Sequence, residues 1–225
     1  MRAVIFDVDG TLVDSVDLHA RAWQEAFTHF GYDTDYERVR SQIGKGGDQL
    51  LPVFLPAEVA RERGREIEEY RTRLYRREYL GKVRAFPAVR PLFERLLADG
   101  WKVALASSAK GEELTIYKNL CGIGDLLHAE TSSDDAERSK PHPDIFQAAV
   151  ERLRVSAGDC VVVGDSPYDA EAAGKAGIAS IGFLSGGFPR QELEAAGFGA
   201  LYDGPADLLT WYEGSFFARQ APRIG

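Results

Sequence analysis

The sequence predicts an α/β protein, a Rossmann-like doubly wound parallel sheet interrupted by an all-helical segment. Three observations carry this. A strand is read over residues 2–6 from the apolar run Val4-Ile5-Phe6. From residue 86 onward, apolar runs alternate with stretches of helical spacing, the pattern of parallel strands covered on both faces. Between the two, residues 15–84 read as helical and strongly charged throughout. The expected organisation is a discontinuous core of residues 1–14 and 85–225 with a helical cap of residues 15–84.

Each element has its own signal. Val16, Ala20, Trp23 and Phe27 or Phe30 mark one face of a helix over residues 15–30. Residues 36–79 continue as helix, broken at Gly44-Lys45-Gly46-Gly47 and at Leu55-Pro56. After Phe86-Pro87 a helix over 89–98 leads through Asp99-Gly100 to a strand at 102–106. A helix at about 112–119 and a short strand at 127–129 follow. Then come a helix at 143–153, a strand at 160–163, a helix at 167–176 and a strand at 179–183. Short elements around Leu201 and Leu208 close the pattern, and residues 219–225 read as a loose tail. An insertion directly after the first strand falls at the carboxyl end of the sheet, where open α/β folds bind ligands, so it reads as a lid.

Composition narrows the function. The chain has 225 residues, 44% hydrophobic and 28% charged, the balance of a soluble globular protein. A net charge of -8 argues against a nucleic-acid binder. Residues 14–84 carry 13 basic and 13 acidic residues, so the negative excess lies elsewhere. Cys121 and Cys160 form no metal-spaced motif and read as reduced core thiols. With no signal peptide and no membrane-length apolar run, a cytoplasmic protein with no membrane partner is expected, monomeric by default.

The chemistry shows when the strand ends are aligned. The first strand runs into Asp7-Val8-Asp9-Gly10-Thr11, the next into Ser107-Ser108, and the one at Cys160 into Asp165 and Asp169; Lys140 opens Lys-Pro-His-Pro before a helix. In a parallel sheet these meet at one edge, giving four carboxylates, one ammonium and one or two hydroxyls. Lys140 offsets only one charge, so a hard cation with oxygen ligands is expected, and Mg²⁺ fits. Such a site suits a phosphate, with Ser107 and the start of the next helix donating to it. A carboxylate held against a phosphate can attack phosphorus. The competing structural role for Asp165 or Ser166 is a helix N-cap.

These four segments, in this order and spacing, resemble the motifs of the haloacid dehalogenase superfamily of phosphohydrolases. The resemblance covers nearly the whole chain, and the insertion resembles the small helical cap of phosphoglycolate-phosphatase and β-phosphoglucomutase relatives. It implies that Asp7 is the nucleophile and Asp9 the acid/base, with the Asp9 backbone carbonyl on Mg²⁺. It implies Asp7 and Asp165 as metal ligands and Asp169 as a ligand directly or through water. Ser107, with Ser108, and Lys140 would hold the phosphate. The function implied is Mg²⁺-dependent hydrolysis of a small phosphorylated metabolite through an aspartyl-phosphate.

In the cap, Lys45 and His19 are candidate substrate contacts. Asp14 is expected to brace the start of the cap helix, and the arginines over 61–77 alternate with glutamates as a solvated, ion-paired face. Ser185-Gly186-Gly187 are assigned no role. Asp9 separates the chain from dehalogenases and phosphonoacetaldehyde-type hydrolases, which generally lack that second aspartate. A β-phosphoglucomutase-like mutase is the nearest alternative; Asp-Gly-Thr and Gly-Asp-Ser resemble the phosphatase branch. A receiver-like phospho-acceptor domain would be shorter and uninterrupted, and the intact carboxylates argue against a relative that only binds ligand.

Overall fold

A computed structural model describes residues 2–220. Strand β1 (Ala3–Phe6) is buried at every position and forms the centre of a six-stranded sheet. It is followed by β2 (Val13–Asp14) and then by four consecutive helices: α1 (Val16–His29), α2 (Tyr36–Arg40), α3 (Gly47–Phe54) and α4 (Ala57–Glu78). Strand β3 (Arg84–Ala85) pairs antiparallel with β2, Val13 opposite Ala85, so both ends of the helical segment are tied together at the edge of the core. This two-residue ribbon has no sequence signal of its own. The chain continues through α5 (Val89–Ala98), β4 (Lys102–Ala106), α6 (Gly111–Cys121), β5 (Ala129–Thr131), α7 (Asp144–Leu153), β6 (Cys160–Gly164) and α8 (Pro167–Lys175). Strand β7 (Ala179–Phe183), α9 (Arg190–Ala196), β8 (Leu201–Tyr202), α10 (Pro205–Thr210) and α11 (Phe216–Gln220) complete it.

The sheet order is β5-β4-β1-β6-β7-β8, all parallel. Register sets Phe6 beside Leu105 on one side and Val163 on the other, so the residues that follow these strands leave the sheet side by side. The expected α/β class and doubly wound parallel sheet are borne out.

Strand alternation divides the core. Val4, Phe6, Val103, Leu105, Val161 and Val163 face one layer with Phe93 and Tyr117, while Ile5, Ala104 and Val162 face another with Phe146 and Ala149. The helical segment holds a cluster of its own, built on Trp23, Phe27, Leu50, Leu51 and Ile67. Cys121 and Cys160 are free and buried, as expected. Arg219, expected in a loose tail, lies in α11, and the rest of that tail, residues 221–225, is outside the described residues. None of the described helices is long and apolar enough to cross a membrane.

Candidate active site

The turn after β1 builds the first part of the site. The Asp7 N–H donates to Val163 O at 2.8 Å, extending the β1–β6 ladder by one residue. Val8 O then accepts from the N–H groups of Thr11, Leu12 and Val13, curling the chain back. Gly10 sits in that curl with φ +79°, where a Cβ would also run into the Asp165 carboxylate. Thr11, fully buried, donates its hydroxyl to Asp165 Oδ1 at 2.7 Å and lies 3.4 Å from Asp7 Oδ2.

Strand β6 delivers Asp165 and the helix behind it delivers Asp169. Ser166 is the N-cap of α8 and Asp169 closes a capping box, its Oδ2 accepting from Ser166 N (3.1 Å) and Oγ (2.6 Å). The N-cap role therefore falls to Ser166, with Asp165 left free for Thr11 and the cluster. Asp169 Oδ1 is buried without a hydrogen bond, although Lys140 Nζ stands 2.8 Å from it in an ion pair. Lys140 Nζ also bonds Asp7 Oδ1 and lies 5.1 Å from the Phe146 ring.

Asp7, Asp165 and Asp169 each offer a carboxylate oxygen within 4.8 Å of the others, all buried. Burial is the largest influence on Asp7 and raises its pKa; Lys140 pulls the other way, and Asp169 and Asp9 add to the rise. Burial also drives Asp165 well above the usual carboxylate range, reinforced by Asp7 and Asp169. Lys140 is disfavoured as a cation by burial, but Asp169 and Asp7 outweigh that and hold it charged. Three buried carboxylates sharing one ammonium are a donor set that suits a hard divalent cation.

Asp9 faces away from this cluster. Its Oδ1 accepts from Ser15 Oγ at 2.6 Å and lies 2.9 Å from His19 Nε2. Burial raises the Asp9 carboxyl, but His19, Ser15 and Arg71 together hold it below its ordinary value. Arg71 on α4 bonds His19 Nδ1 through a guanidinium nitrogen. The His19 ring is thus held between Arg71 at Nδ1 and Asp9 at Nε2. His19 stacks on Tyr75 at 4.0 Å, and the Tyr75 and Tyr117 hydroxyls are 2.7 Å apart, linking the helical segment to α6.

Ser107 is fully buried, and its Oγ accepts from Ala109 N at 3.0 Å, which leaves its own proton to donate. Ser108, Lys45 and His19 line one cavity with Asp7 and Asp9. Lys45 donates to Gln42 Oε1 at 2.6 Å and lies 4.6 Å from the Tyr168 ring. Two sequence expectations are corrected here. Asp14 is exposed in β2 and does not brace α1; Ser15 precedes that helix and spends its hydroxyl on Asp9. Arg71 is not part of a solvated face; it turns inward to His19, Trp23 and Tyr75. The signal was available, since Arg71 is four residues from Ile67 and four from Tyr75, both buried on α4. The 185–187 loop also matters, because Ser185 Oγ donates to Gly10 O at 2.6 Å and Arg40 reaches Gly186 O at 3.1 Å.

A sequence profile of haloacid dehalogenase-like hydrolases matches residues 4–183. The chain belongs to that family. A phosphoglycolate phosphatase of Yersinia pseudotuberculosis is 31% identical to this hydrolase over 191 residues, covering 83% of the chain and 82% of the relative. A phosphorylated carbohydrates phosphatase of Thermotoga maritima is 28% identical over 184 residues, covering 80% and 84%. The crystal structure of a hydrolase from Pseudomonas syringae superposes with a TM-score of 0.86 at 29% identity, covering 95% of the chain and 99% of that structure. The expectation of an enzyme, a phosphatase of the haloacid dehalogenase-like family, is borne out.

Proposed function

We propose that this hydrolase is a Mg²⁺-dependent phosphatase of small phosphate monoesters that carries the phosphoryl group transiently on Asp7. The supporting observation is the joint burial of Asp7, Asp165 and Asp169 around Lys140 at the carboxyl end of the sheet. Asp7, Asp165 and Asp169, with the Asp9 backbone carbonyl, would hold the metal. When bound, Mg²⁺ offsets the carboxylates and polarises a phosphoryl oxygen.

The chain's own groups do the rest. Lys140 opposes the effect of burial on Asp7 and orients its carboxylate. An Asp7 oxygen bonds to phosphorus as the bond to the leaving alcohol oxygen breaks, and Asp9 gives that oxygen its proton. Asp9 is ionised beside His19, so the proton is taken up when the phosphate dianion arrives next to it and raises its pKa. Asp9 then removes a proton from water, which attacks the aspartyl-phosphate, releasing phosphate and restoring Asp7. Ser107, and Ser108 at the cavity wall, donate to phosphoryl oxygens.

Residues 15–84 form the cap, which closes to exclude water and opens for exchange. Contacts from Tyr168 Oη to Ser41 O (2.6 Å) and from Ser139 N to Asp48 Oδ2 (3.1 Å) support the closed position. Lys45 and His19 reach the substrate or its anchoring groups from the cap. The relatives' names support a small phosphorylated metabolite as the substrate. Free buried thiols support a cytoplasmic setting.

Phosphate release from a panel of metabolites, after EDTA treatment and with Mg²⁺ restored, tests this reading. Release that needs Mg²⁺ and is absent in Asp7→Asn is expected. Full release by Asp7→Asn would sink it. Conversion of β-glucose 1-phosphate to glucose 6-phosphate without release would replace hydrolysis by mutase chemistry.

A further inference from the structure

The cavity that holds Asp7 and Asp9 measures about 70 Å³, and one of about 240 Å³ adjoins it, sharing Glu68, Arg71 and Ser108 in its walls. Besides His19, six acidic or basic side chains line the first: Asp7, Asp9, Lys45, Glu68, Arg71 and Glu113. Five are engaged. Asp7 has Lys140, Asp9 has His19, Lys45 has Gln42, Arg71 has His19, and Glu113 has Arg76. Glu68 alone of the six has no hydrogen bond and no ion pair among the described residues. It is half-buried on α4, and its carboxyl lies against Gly47. A Cβ at Gly47 would fall 2.8 Å from its carboxyl carbon, so the glycine is what makes room for it.

A carboxylate only accepts hydrogen bonds, and a half-buried one gains most from a donor brought by the ligand. Arg71, three residues further along α4, has one N–H, Nε, buried and unbonded. A second anionic group on the substrate would suit Arg71 but bring its charge beside Glu68. Hydroxyl groups donate and accept, and satisfy both. Resting on the phosphatase reading above, we infer that Glu68 is a specificity residue that accepts hydrogen bonds from leaving-group hydroxyls. The preferred substrate is then the phosphate monoester of a sugar or other polyol, rather than that of a carboxylic acid.

The test compares kcat/KM with Mg²⁺ for glucose 6-phosphate, ribose 5-phosphate, glycerol 3-phosphate, phosphoglycolate, phosphoethanolamine and p-nitrophenyl phosphate, in wild type, Glu68→Gln and Glu68→Ala. Wild type is expected to favour at least one hydroxylated ester over phosphoglycolate and phosphoethanolamine by about tenfold or more. Both variants are expected to lose about tenfold on that ester while p-nitrophenyl phosphate, which has no hydroxyl to offer, changes less than about twofold. Unchanged p-nitrophenyl phosphate turnover also shows that the variants fold. Preference for phosphoglycolate or phosphoethanolamine, absence of activity on every hydroxylated ester, or equal loss on all esters would overturn the role of Glu68. If wild type hydrolyses no ester at all, p-nitrophenyl phosphate included, the phosphatase reading itself fails and takes this inference with it.

Discussion

Lys140 Nζ stands 2.8 Å from Asp169 Oδ1 while also bonding Asp7, so one buried ammonium serves two carboxylates of a three-carboxylate cluster. Removing it by Lys140→Met leaves the cluster without a cation. In EDTA at pH 7 the variant is expected to lose about 3 kcal/mol of unfolding free energy, the cost of stranding a buried charge. At pH 5 the loss should shrink, because Asp7 and Asp165 already have raised pKa values and take up protons instead. Urea denaturation at both pH values checks this; equal losses would contradict it.

Asp9 owes its low pKa to His19 first, then to Ser15 and Arg71. In His19→Ala the Asp9 carboxyl should titrate higher. The limb of the pH–kcat profile that reports ionised Asp9, the proposed base for water attack, is then expected to move to higher pH. A fall in kcat of about tenfold or more should accompany it, at the lower end of general acid–base contributions. A profile that keeps its limb would show that His19 does not set Asp9.

Thr11 gives Asp165 its only hydrogen bond from a side chain among the described residues. Thr11→Val keeps the shape and removes the donor, which should cost about 1–3 kcal/mol in the folded protein. Activity should also need more Mg²⁺ to reach half its maximum, since Asp165 is no longer held. Chemical denaturation and a Mg²⁺ titration of turnover measure the two effects, and wild-type values in both would remove Thr11 from the site.

Burial pushes the Cys121 thiol up to about 12 and the Cys160 thiol up to about 11. Both values lie above that of an unfolded thiol, so their stabilising contribution is complete below about pH 9 and is lost as pH rises through 11 to 12. Native protein at pH 8 should react with iodoacetamide far more slowly than urea-unfolded protein. Comparable rates would show that the thiols are accessible.

Much of the core was legible because strand ends carry chemistry in fixed order. Asp7 and Asp165 meet because β1 and β6 are neighbours in register and both run into the same edge, and Lys140 joins them from the segment between β5 and α7. Roles that depend on a side chain's direction were harder to read. Arg71 sits in a run of glutamates and arginines, and only its spacing from Ile67 and Tyr75 marks it as inward-facing. Ser15 precedes α1, yet its hydroxyl is drawn to Asp9, which the tight turn at Gly10 brings close. Glu68 carried no signal, because its setting is made by Gly47, a residue on another helix. The β2–β3 ribbon is two residues per strand, too short for any period to show.

The most direct measurement is rapid-quench mass spectrometry of the enzyme turning over a good substrate with Mg²⁺. A phosphoryl adduct located on Asp7 during turnover, and absent in Asp7→Asn, is the expected result. Steady hydrolysis with no adduct on Asp7 at any time, or an adduct on a different residue, would contradict the assignment of Asp7 as the nucleophile.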